Sequence, residues 1–276
     1  MSGRRQWLSL RYAEDRRAIV FAGISLALLI LPFVVSLPKL VYPAWIATSA
    51  LFCFCVCVIN HNHAHLPLFE QPQANRLFSV FLTLLRGHSS SGVIVPHNYN
   101  HHVVHGGEED WIDPRLAGSG PGIVRVLRYV VGASINMARQ RVRDDAPRLN
   151  DASRRQIRLE RVVLVIFVAV MLWMDTGTTF LFLLLPWLLG VSLLVAVNLP
   201  QHDGCDPTSS YSHSRNFTSR LGNWFLFNNG YHSAHHLQPS LHWSRLPDAH
   251  RAILDKLDPT LNHHSLLGFV ARHYVL

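Results

Sequence analysis

The sequence predicts an all-α integral membrane protein: four transmembrane helices in two hairpins, with a cytosolic helical cap that carries clustered histidines. Three observations predict it. Of 276 residues 49% are apolar and only 15% charged, against about 25% charged in a soluble domain. Uncharged apolar runs fill residues 18–36, 40–59 and 178–197, each near the roughly 20 residues that a hydrocarbon core requires. The 18 histidines gather beside the ends of those runs. The apolar fraction excludes disorder. Four cysteines, with Cys53, Cys55 and Cys57 inside one apolar run, exclude a disulfide scaffold and read as core packing.

The first two runs are separated only by Leu37-Pro38-Lys39 and form a hairpin. Residues 77–85, between Arg76 and Arg86, reach about half of the hydrocarbon core as a helix and are expected to lie on or dip into one face. Residues 162–174 are short for a crossing, but Arg158 and Arg161 can snorkel and let a span begin near residue 160. The expected spans are therefore 18–36, 40–59, 160–174 and 178–197, in one domain over 1–276 whose cap comprises 60–159 and 198–276.

Charge orients this arrangement. From residue 115 to 161 there are eleven arginines and four acids, +7 of the chain's +8. Both hairpin turns together hold one basic residue, Lys39. That is the positive-inside pattern with both termini cytoplasmic, in the cytoplasmic (inner) membrane. The basic residues flank spans without a recognition motif, so nucleic-acid binding is not expected.

On this map His61 and His65 follow the second span, His97, His101 and His102 lie beyond the half-length segment, His202 follows the last span, and His232, His235 and His236 come near the C-terminus. All fall on the cytoplasmic side. Imidazoles at i and i+4 chelate one ion, and a neighbour at i+3 or i+5 points toward a second. Eight or nine neutral nitrogen donors exceed what one metal needs. The turn Asn228-Asn229-Gly230 is expected to start the helix of the last cluster, and Pro239 to end it. The remaining histidines, His105 and His213 among them, are expected to be non-ligands.

With these residues the sequence resembles the membrane-bound fatty acid desaturase and hydroxylase superfamily, whose three histidine boxes read HxxxH, Hxx(x)HH and HxxHH. Here they are His61 to His65, His97 to His102 and His232 to His236. The resemblance covers roughly residues 18–239. It implies two non-haem Fe ions held by these eight histidines, with His202 as the further ligand that often follows the last span. It also implies O2 as co-substrate and attack on an unactivated C–H bond of a lipid or acyl chain, most simply fatty acid desaturation. The three residues between His97 and His101 look like the boxes of alkane and xylene hydroxylases and of some bacterial desaturases, so hydroxylation, or carotenoid ketolation or hydroxylation, stands as an alternative.

The first box departs from the family in having Asn62 where an acid is common, so carboxylates that orient the imidazoles must come from elsewhere. Glu108, Glu109, Asp110, Asp113 and Asp203 are the candidates. No side chain here stores electrons and no dinucleotide fingerprint is present. An external donor such as a ferredoxin, rubredoxin or cytochrome b5 is implied, and the arginines from 139 to 161 suit either an acidic carrier or the membrane surface. A metal transporter, the alternative from another class, needs ionisable residues within its spans. The apolar runs 18–36, 40–59, 162–174 and 178–197 contain no His, Asp or Glu.

Overall fold

The computed structural model describes residues 8–104 and 107–276. The chain is mostly helical: α1 (Arg16–Ile30), α2 (Tyr42–His65), α3 (Pro72–Arg86), α4 (Gly122–Arg148), α5 (Asp151–Met174), α6 (Leu185–His202), α7 (Arg220–Phe225), α8 (His232–Leu237), α9 (Leu246–Ala252) and α10 (Leu266–Val270). Short β1 (Asn216–Phe217) and β2 (Asn262–His263) pair in parallel. The chain divides into two compact units, Met1–Val93 with Asn150–Val191, and Ile94–Leu149 with Ser192–Leu276.

In the first unit the hairpin expected from the sequence is present. Pro43 sits in the first turn of α2, where a missing N–H costs nothing. Trp45 Nε1 donates to the Leu28 carbonyl at 2.9 Å, and Phe21 packs on Phe52 with ring centroids 5.3 Å apart. The three cysteines of α2 are buried, as packing predicts. Helix α3 buries Ala74, Phe78, Leu82 and Leu85, a one-face repeat. It stops at Gly87, whose φ of +75° closes the helix and where a Cβ would stand 2.4 Å from Trp187. Asn150 caps α5 through the Ser153 N–H. Asp175 ends α5 and caps the next helical turn through the Thr178 N–H, so the helix stops at the turn residues that the sequence marks. Gly190 lets α6 approach α2 closely: a Cβ there would lie 2.6 Å from that of Cys53.

Among the described residues three helical stretches are long and apolar enough to cross a membrane, Ala13–Phe33, Lys39–His65 and Thr176–His202. These correspond to three of the four expected spans. A fourth candidate is the broken pair Pro72–Arg86 and Ser91–Val104, which incorporates the half-length run. Helix α5 has length enough at 24 residues, but its first half carries Arg154, Arg155, Arg158, Glu160 and Arg161. That charge leaves α5 less apolar than the three stretches above.

The second unit packs Ala117, Tyr129, Ala133, Leu199, Phe217, Phe269 and Tyr274 into one core. The Tyr129 hydroxyl donates to the Ile112 carbonyl at 2.7 Å and accepts from Asn198 at 2.6 Å. Thus α4 and the end of α6 are fixed to the loop that follows the second histidine cluster.

Candidate metal centre

Within the second unit, His101, His202, His232 and His236 bring one ring nitrogen each within 4.8 Å of one another. The Nε2 atoms of His202 and His232 are 2.9 Å apart, and those of His232 and His236 3.2 Å apart. A second trio, His97, His102 and His235, lies beside them. His102 Nε2 is 3.1 Å from both His97 Nε2 and His235 Nε2. In the first unit His61 and His65 stand one turn apart on α2, ring centroids 5.2 Å apart. All nine predicted ligands are accounted for in these groups.

Local backbone explains how they are sorted. In α8 the i and i+4 residues, His232 and His236, share a group, while His235 joins the other, as spacing predicts. In the second cluster the sorting is reversed. There Val95–His101 is a π-helical turn, and the His102 N–H reaches the His97 carbonyl, five residues back. So His97 and His102, at i and i+5, share a group and His101, at i+4, goes to the other.

Hydrogen bonds set the ring tautomers. His101 Nδ1 donates to Asp110 Oδ2 at 2.9 Å, both side chains being essentially inaccessible. His202 Nδ1 donates to the His213 carbonyl at 3.1 Å. Each bond puts the proton on Nδ1 and leaves Nε2 with its lone pair. His101 Nε2 is buried with no hydrogen-bond partner among the described residues. Burial, reinforced by the neighbouring imidazoles of His102, His232, His202 and His101, holds the His236 pKa well below the usual histidine range. It is therefore neutral at pH 7, as a ligand must be. An orphaned inward nitrogen among neutral imidazoles, with carboxylate and carbonyl behind them, fits a transition-metal ion.

Of the five candidate carboxylates Asp110 is, among the described residues, the one that hydrogen-bonds a histidine of the clusters. Asp203 instead accepts from Arg125 at 2.8 and 2.9 Å and from the Tyr274 hydroxyl at 2.6 Å. Asp113 caps the turn Pro114–Ala117 through the Arg115 N–H. Glu108 is exposed near Arg115, and Glu109 contributes its carbonyl to Asn100 at 2.8 Å.

Several supports were not read from the sequence. Asn100 clamps the loop bearing Asp110, donating to the Glu109 carbonyl and accepting from the Trp111 N–H at 2.8 Å. Asn216 of β1 accepts from the Ser233 N–H and donates to its hydroxyl, both at 2.9 Å, anchoring the start of α8. Polar residue type alone gives no signal for either. Gly230 precedes α8 where a Cβ would lie 2.3 Å from the Phe217 carbonyl oxygen, so the expected turn has a steric basis.

Other histidines have structural partners. His63 accepts from the Leu68 N–H at 3.2 Å and contacts Ser79 at 3.3 Å. His213 donates to the Ser209 carbonyl at 3.1 Å, although its ring lies 5.3 Å from that of His236. His105 lies outside the described residues.

Comparison with known proteins gives one family. A family model described as Fatty acid desaturase matches residues 6–266. No curated protein matches the chain.

Proposed function

Because the chain belongs to the fatty acid desaturase family, a membrane-associated family of desaturase/hydroxylase-type oxidoreductases acting on lipids, we propose that it desaturates a fatty acyl chain with O2 and electrons from an external carrier. The observation that carries this reading is the pair of adjoining imidazole groups in the second unit. One iron would be held by His101, His202, His232 and His236, the other by His97, His102 and His235. His61 and His65 are added to the ligand set on the family resemblance. Bound there, the irons would supply the O2 activation that removes hydrogen from a methylene.

The protein's own contribution is to keep donors neutral and aimed. Asp110 and the His213 carbonyl each hold an Nδ1 proton, and the Asn216–Ser233 bonds fix the helix that delivers three ligands. Four crossings with both termini cytoplasmic remain our reading of the topology. It is supported by the exposed apolar side chains of Val162, Val165, Ile166, Val170 and Trp173 that follow Arg161 in α5. A ferredoxin, rubredoxin or cytochrome b5 is the proposed class of donor.

Mass spectrometry of acyl chains from membranes with and without the protein tests the reaction. Loss of two hydrogens supports desaturation. Gain of one oxygen would transfer the same site to hydroxylation, since the HxxxHH spacing occurs in hydroxylases as well as in some bacterial desaturases.

A further inference from the structure

The first unit contains a cleft of about 150 Å³ between α3 and α5, lined by Arg76, Ala152, Arg155, Gln156 and Leu159. That is room for several water molecules, enough to admit a phosphodiester group. Two of its five lining residues are cationic, and neither Arg76 nor Arg155 forms an ion pair among the described residues. The cleft has a fixed floor. Gln156 Nε2 donates to the Arg76 carbonyl at 3.1 Å and to Glu160 Oε1 at 2.9 Å, tying the two helices together there. Glu160 itself is fully buried and accepts from Ser89, Ser91 and Gln156.

Below the arginines an apolar track begins. Residues 155, 159, 162, 166, 170 and 173 recur every three or four positions and so lie along one face of α5. After Arg155 they read Leu159, Val162, Ile166, Val170 and Trp173, exposed by 50, 50, 58, 46 and 87%. A cationic cleft at the head of an exposed apolar track matches an amphiphile with a phosphate at one end and a hydrocarbon chain at the other. A soluble phosphate has no use for the track, and simple attraction to an anionic surface needs no cleft.

We propose that Arg76 and Arg155 form a binding site for the phosphate of one anionic membrane phospholipid, whose acyl chain lies along the Leu159 to Trp173 face of α5. The site lies within the first unit and is independent of the metal chemistry proposed above. Arg158, an exposed arginine of the same helix that does not line the cleft, provides the control for undirected charge.

The test is native mass spectrometry of the full chain in detergent micelles, titrated with phosphatidylglycerol, with diacylglycerol of the same acyl chains, and with inorganic phosphate. The wild type is expected to retain one phosphatidylglycerol and no diacylglycerol, and millimolar phosphate is expected not to displace it. Arg76→Gln and Arg155→Gln should each weaken retention about fivefold, as expected for losing one cation at a lipid surface. Arg158→Gln should leave it unchanged, and Leu159→Asn should weaken phosphatidylglycerol retention by shortening the track. Arg76→Lys and Arg155→Lys should recover most of the binding, separating lost charge from lost fold. Equal loss in Arg158→Gln would overturn the site in favour of diffuse charge. Displacement by phosphate would overturn the lipid in favour of a soluble anion, and unaltered retention in both glutamine variants would overturn the proposal altogether.

Discussion

Replacing Asp110 by Asn exchanges one carboxylate oxygen for an NH2 group, removing the charge with almost no change of volume, which makes it an incisive perturbation of the metal site. In the wild type Asp110 Oδ2 accepts from His101 Nδ1 at 2.9 Å, while Oδ1 accepts from the Ile112 N–H at 3.0 Å. Asparagine keeps the second bond, so the loop should hold its shape. It replaces the first acceptor by an NH2 donor, which forces the His101 proton onto Nε2, the nitrogen that must face the metal. A buried hydrogen bond to a charged group contributes about 1.5–3 kcal/mol, or roughly 10- to 150-fold in affinity at about 1.4 kcal/mol per decade. Loss of a carboxylate behind a metal-bound histidine typically costs about 10- to 100-fold, so the two estimates agree. Iron titration of purified protein, followed by metal analysis and optical absorption, is the assay. Asp110→Asn should bind iron about 10- to 100-fold more weakly, with unchanged helical circular dichroism. Asp113→Asn, which loses only contacts to Arg115, should bind as the wild type does. Equal iron affinity in Asp110→Asn and wild type would refute the tautomer argument.

Other consequences are open to direct measurement. Gly230→Ala places a methyl against the Phe217 carbonyl and the Asn223 side chain; it should reduce iron content in metal analysis while leaving Asp113→Asn-like controls loaded. Glu160→Ala removes the acceptor for Ser89, Ser91 and Gln156 and should destabilise the protein by about 2–4 kcal/mol, read from denaturant titration in detergent. A maleimide should label Cys205 alone, because Cys53, Cys55 and Cys57 are buried. Burial pushes the Cys205 thiol up to about 11. Its labelling rate should therefore rise about tenfold per pH unit between roughly pH 7 and 10, since only the thiolate reacts; a rate that levels off near pH 8 would contradict the buried environment.

Much of this architecture was legible because lipid imposes coarse rules. Uncharged runs mark α1, α2 and the Thr176–His202 stretch, and Pro43, Asp175 and Gly230 mark boundaries through local stereochemistry. Helix α5 was harder, since the charged residues of its first half interrupt the apolar pattern. Within the site, the histidines that cluster were readable by type and spacing, but their partition into two groups was not. A periodicity argument assumes an α-helix, and the π turn Val95–His101 moves His101 away from His97's group. The selection of Asp110 from five carboxylates depends on a loop closed by Asn100 and on burial, both through-space effects. The carbonyl of His213 carries no sequence signal at all, because every residue has one.

The central claim is that these histidines hold a pair of irons. Iron analysis of detergent-purified protein, alongside His101→Ala and His235→Ala, tests it most directly because these residues belong to different imidazole groups. The account predicts iron approaching two per chain in the wild type and a clear loss in each variant. A single zinc per chain, or iron loading that neither substitution alters, would contradict it.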